Sequence, residues 1–143
     1  MDNGVSNLYE NHMLARHPLP AAGLLGLATL PIHAILPYTW SVTLAAFILA
    51  LIGGVYIGFA VLDGRLSRLL IETTVAVAFA IYAAATFHSA PLWIPFGYIL
   101  HGLWDAAHHS PFFDVKMAKW WIPACAAYDI ATGLGLLLIW TYF

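Results

Sequence analysis

Charge is what this chain has least of. Lysine, arginine, aspartate and glutamate make up 8 % of its 143 residues, five basic and seven acidic, where a soluble domain carries roughly 25 %. The five basic residues are scattered, which excludes a nucleic-acid-binding stripe, and the net charge of -2 suggests no anionic partner. With a single cysteine, Cys125, no internal disulfide can form. The chain also lacks a serine-centred nucleophile motif, a phosphate-cradling glycine loop and a dinucleotide fingerprint. Internal repeats and low-complexity tracts are absent.

Apolar sequence is there instead, in long blocks. Hydrophobic residues make up 62 % of the chain, and the mean hydropathy is +0.83. Blocks at 19–36, 40–62, 67–88, 91–109 and 120–142 are each near the ~20 residues that cross a bilayer core as a helix. The sequence therefore predicts an all-α polytopic membrane helix bundle of about five transmembrane helices. A polar N-terminal segment, 1–18, precedes a single transmembrane domain, 19–143. The first block is the weakest, being short and holding Pro31. Five spans put Arg16, Arg65, Arg68, Lys116 and Lys119, every basic residue, on one side. Basic residues favour the cytoplasmic side, which predicts N-in and C-out. Trp40, Trp93, Trp120 and Trp121 fall near span ends, where interfacial aromatics belong. The predicted partner is the lipid bilayer; an oligomer is compatible with the sequence, and nucleic acid is not.

The ionisable residues inside the blocks are the informative ones. Residues 101–109 read H-G-L-W-D-A-A-H-H, and place His101, Asp105, His108 and His109 on one apolar segment. At 1.5 Å per residue, His101 and Asp129 lie ~13–14 Å from the basic side, and Asp105 and Glu72 roughly 7 Å. At 100° per residue, His101, Asp105 and His108 share one face, with His109 just beyond. Lipid cannot solvate such a stripe, so it must face protein or a wet cavity. Imidazole with carboxylate is the donor set of zinc or iron. His101, Asp105, His108 and His109 are thus candidate ligands of a divalent metal ion. Glu72 and Asp129 are candidates to complete the shell or act as general acid and base.

Simpler roles exist for the same residues. Arg68, four residues before Glu72, could pair with it; Asp105 could bridge a histidine; His108 and His109 could touch headgroups. His33 and His88 lie towards the other side and read as structural. Cys125, one turn from Asp129, reads as packing, and Asp63 and Asp114 as turn and loop residues. Gly53, Gly54, Gly58, Gly133 and Gly135 read as close-packing positions. The expected function is a metal-dependent membrane hydrolase or oxidase acting on a lipid or isoprenoid-like substrate. The rivals are a proton or metal-ion pathway and an accessory subunit of a membrane complex.

The stripe H-x-x-x-D-x-x-H-H looks like a merged, aspartate-substituted form of the histidine boxes of membrane desaturases. Seven histidines, several of them misplaced, are too few for that di-iron centre. The closer resemblance covers Y-I-G-F-A-x-x-D-G-R at 56–65, a glutamate in the next span, G-Y-x-x-H-G-x-W-D-x-x-H-H at 97–109 and C-x-x-x-D at 125–129. These motifs resemble a family of short, uncharacterised bacterial integral membrane proteins. The resemblance implies a bacterial inner-membrane location and groups Glu72, His101, Asp105, His109 and Asp129 as a set, without implying a reaction.

Overall fold

A computed structural model describes residues 16–113 and 115–142. Most of the polar N-terminal segment, and Asp114, lie outside the described residues. Among the described residues five long α-helices succeed one another: α1 (Pro18–Ile35), α2 (Tyr38–Asp63), α3 (Leu66–Ser89), α4 (Ile94–Ala107) and α5 (Trp121–Tyr142). No strand occurs among the described residues. The protein is an all-α bundle, and α1, α2, α3 and α5 are each long and apolar enough to cross a membrane. Local sequence sets the breaks. Pro37 stands at the N-cap of α2, and Gly64, at φ 80°, ends α2 in the left-handed conformation that glycine adopts without strain.

The fourth apolar block departs from expectation. It is not a helix over 91–109. Pro91–Trp93 form a 3-10 turn, and α4 has only 14 residues, a length of ~21 Å. Pro111 contributes to the early stop, because a proline disfavours the helical conformation of the residue before it. Yet the segment 90–113, with α4 at its centre, still connects the two ends of the bundle. At the start of α4, the Tyr82 hydroxyl near the end of α3 donates to the Trp93 carbonyl at 2.7 Å. Beyond the end of α4, the guanidinium of Arg68, at the start of α3, donates to the carbonyls of Pro111 and Phe112. Half the face of α4 is buried, including Tyr98, His101 and Asp105, while Phe96, Leu100 and Leu103 are exposed along the opposite stripe.

The two ends differ in chemistry. At one, the Asp63 carboxylate accepts from the Arg65 guanidinium, at 2.8 Å for Nη2, and from the Lys116 backbone N–H at 3.1 Å. This ties the α4–α5 loop to the α2–α3 turn. At the other, Ser41 binds His33 Nδ1 and accepts from Trp140 Nε1, both at 2.9 Å. His33 is therefore a buried histidine with a structural partner, and His88 is exposed against Phe87.

Packing is closest around α5. Helix α1 lies along α5, α2 along α3, and α4 against α5, whereas α1 and α2 barely meet. A Cβ on Gly26 would come 2.8 Å from the Tyr128 carbonyl oxygen, and one on Gly133 2.7 Å from that of Pro95. Glycine at both lets backbones approach. Gly53 and Gly135 also sit at tight contacts, but Gly54 and Gly58 face open space, contrary to the packing role expected of them.

Two outcomes are expected. Gly133→Val should lower stability by about 1–3 kcal/mol, the usual cost of overpacking, measured by denaturation in mixed micelles. In a Cys125→Ser background, a cysteine at Ser89 should react with an impermeant maleimide in intact cells. One at Ser110 should react only after permeabilisation. The reverse pattern would invert the orientation, and labelling of both from one side would break the end-to-end course of the segment 90–113.

Candidate metal centre

Two helices, α4 and α5, bring three ionisable groups together. His101 and Asp105 are one turn apart on α4, and α5 supplies Asp129 across the close approach at Gly102, where a Cβ would lie 3.5 Å from Asp129 Cβ. His101 Nδ1 donates to Asp129 Oδ2 at 2.7 Å. Asp105 Oδ2 is 3.6 Å from the same nitrogen, too far for a hydrogen bond. Relative exposures are 2 %, 0 % and 2 % for His101, Asp105 and Asp129, so none of the three is solvated by its surroundings.

The polar atoms of this cluster are undersupplied with partners. His101 Nε2, both carboxylate oxygens of Asp105 and Oδ1 of Asp129 are buried with no hydrogen-bond partner among the described residues. A buried unsatisfied polar group is costly, and more so when charged. One donor atom from each of His101, Asp105 and Asp129 lies within 4.8 Å of the others. Metal–donor bonds of about 2.0–2.2 Å place co-ligand atoms at most ~4.4 Å apart. Closing the set around a cation is therefore a matter of small side-chain rotations. This group of three could hold a metal ion.

The other candidates fall elsewhere. Asp129, expected as a shell completion or an acid/base, stands inside the three-residue group. His108 caps α4 and turns to a different partner. Its Nδ1 donates to the Trp104 carbonyl at 3.0 Å, and its Nε2 lies 3.1 Å from Glu72 Oε1. With Nδ1 committed as a donor, a single proton lies between Nε2 and the Glu72 carboxylate. Both residues are buried. His109 leaves the stripe altogether and is exposed, because the helix stops at Ala107 and its 100° spacing does not extend that far. The helical facing expected of His109 requires a helix to 109. Cys125 is a free thiol on the wall of a neighbouring cavity and is not in the group of three.

Tyr56 joins this site without any expectation from the sequence. It is 1 % exposed, its ring stacks on His108 at 4.2 Å, and it lies 6.2 Å from the His101 ring. It thus stands between the two polar groups, and its buried hydroxyl has no hydrogen-bond partner among the described residues. Depth arithmetic could have found it. Seven residues from the end of α2 is ~10 Å, the level of His101. Phe79 closes another side of His101, edge-on at 4.9 Å.

A cavity of about 330 Å³ reaches this cluster. It is lined by apolar side chains of α1, α2 and α5, with Tyr56, His101, Cys125 and Asp129 on its wall. No protein-family model, curated protein or solved structure matches the chain.

The Glu72–His108 pair can be tested apart from any ligand. Glu72→Ala or His108→Ala alone should destabilise by roughly 3–5 kcal/mol, because each strands a buried polar partner. Replacing both by leucine should cost clearly less than the sum. Strict additivity in unfolding titrations would show that the two side chains do not interact.

Proposed function

We propose that the protein is a membrane-embedded enzyme that uses a divalent metal ion to act on a lipid or isoprenoid-like substrate. One observation carries this reading: the buried, unsatisfied donors of His101, Asp105 and Asp129 form one group, two of whose members, His101 and Asp129, stand on the wall of an apolar cavity. Two carboxylates and a neutral imidazole sum to two negative charges, so a divalent cation would leave the buried site neutral. Three protein ligands with a further position open is the pattern of catalytic sites rather than structural ones. Zinc or iron fits a nitrogen-and-oxygen donor set of this kind. Zinc would supply a Lewis acid and an acidified water, and iron oxidation chemistry.

The chain's own residues have distinct parts in this reading. Asp129 fixes the ring of His101, and the two aspartates would share the charge of the ion. The Glu72–His108 pair holds one proton and can give it up or take another without leaving a net buried charge of more than one, as a general acid or base must. Tyr56, packed on His108 and lining the cavity, would orient the substrate. His109, exposed, has no part. The membrane would be a bacterial inner membrane, with the basic end of the bundle in the cytoplasm, as the clustering of Lys and Arg supports.

The Glu72–His108 pair also favours a second reading, a proton or metal-ion pathway. His108 lies two turns nearer the basic end than His101, so the two groups form steps along the bundle axis. The readings differ in how firmly the ion is held.

Protein purified in detergent without a histidine tag should carry close to one zinc or iron per chain by elemental analysis. His101→Ala and Asp129→Ala should each lose most of it, and His33→Ala, His88→Ala and His109→Ala should not. Retention should fall as the pH is lowered, because protons compete for the same donors. A weak, exchangeable ion would favour the pathway. A folded, metal-free wild type would sink the enzyme.

A further inference from the structure

The cavity has a direction and a chemistry of its own. It lies where α1 and α2 diverge. Ala22 and Leu25 form one wall, Ile52 and Val55 another, and Ala124 and Tyr128 of α5 the back. Leu25 and Val55 are 55 % and 41 % exposed, so the mouth opens sideways onto the surface that faces hydrocarbon in a membrane. Trp120 and Trp121 stand at the end nearest the basic loop, and His101 and Asp129 lie deeper. Asp129 is eight residues into α5, ~12 Å beyond Trp121.

Volume, charge and depth narrow the range of ligands. The volume is near the lower end of the ~300–1,000 Å³ typical of ligand pockets, so it suits one hydrocarbon chain rather than two. No lysine or arginine among the described residues lines the cavity, and the Asp129 carboxylate stands on its wall. A cation held by His101, Asp105 and Asp129 would already be neutralised by its own two carboxylates, so a phosphate or carboxylate head would bring uncompensated negative charge into an apolar site, which is strongly unfavourable. Finally, the polar end is at acyl-chain depth, well below the tryptophans that mark the interface. A phospholipid in its normal position would present methylenes there, not its ester or phosphate groups.

We infer that the cavity binds the single chain of a lipid with an uncharged, hydroxyl-bearing head, such as a long-chain or isoprenoid alcohol, admitted sideways between α1 and α2. The head hydroxyl lies at His101 and Asp129, where it can donate to the unpartnered Asp129 Oδ1, and the chain lies along Ile52, Ala124 and the mouth. This deepens the enzyme reading by naming the substrate class, and rests on it only for the chemistry after binding.

The test is photolabelling in nanodiscs with a long-chain alcohol bearing a diazirine beside its hydroxyl, with adducts mapped by mass spectrometry and metal content measured on the same samples. Adducts are expected on Ala124, Cys125 or Tyr128. Ala124→Phe, which fills the cavity, and Val55→Trp, at its exposed mouth, should each lower labelling about tenfold, the effect of ~1.4 kcal/mol, with metal content unchanged. Unlabelled alcohol should compete, and phosphatidylglycerol should not. Adducts confined to the outer faces of α2 and α3, labelling insensitive to both variants, or equal competition by the phospholipid would overturn the inference. A wild type that carries metal but does not label the cavity defeats the lipid site alone. One that labels there but carries no metal keeps the lipid site and defeats the enzyme reading.

Discussion

Hydrocarbon offers no hydrogen bonds and little charge screening, so every polar group placed in it must be answered from within the protein. That constraint organises this bundle. His101 is answered by Asp129, and His108 by Glu72 and by a backbone carbonyl. Tyr56 stands between the two groups. Asp105 is answered least. It is fully buried, and both its carboxylate oxygens lack hydrogen-bond partners among the described residues. The unanswered donors of His101 and Asp129 adjoin it, so the imbalance centres on one cluster.

The same constraint accounts for the shape. Short, half-buried α4 carries the histidines and Asp105 where longer neighbours can surround them. Gly97, Gly102 and Gly133 line its contacts with Leu49 and Tyr82, with Ile130 and Asp129, and with Pro95. A larger residue at Gly102 or Gly133 would push α4 away from α5 and separate His101 from its partner there. The packing of α1 on α5 rather than on α2 then leaves the cavity beside the polar cluster.

Much of this is legible in the sequence. The helices follow from apolar blocks broken by Pro37 and Asp63–Gly64. Glu72, His101, Asp105 and Asp129 stand out because ionisable residues in such blocks are rare, and depth arithmetic aligns His101 with Asp129. What depth cannot supply is the rotation of one helix against another. Nothing periodic says that Asp129, not Glu72, meets His101, or that Glu72 meets His108. Those pairings depend on where small residues permit approach. His109 departs from expectation for a simpler reason: the facing argument holds only while the helix lasts, and it stops at Ala107. Tyr56 escapes notice because a tyrosine carries no formal charge to mark it.

The pairing of α1 with α5 has a consequence for biogenesis. Helices enter a membrane in the order of synthesis, so the first waits for the last before it finds its main partner. Until then α1 stands as a lone helix in lipid, its small-residue face at Ala22 and Gly26 uncovered. The carboxylate of Asp129 arrives on that same final helix. The cluster therefore comes into being only when the whole chain has been inserted, and a chain halted before α5 would have neither a closed bundle nor a complete set of donors.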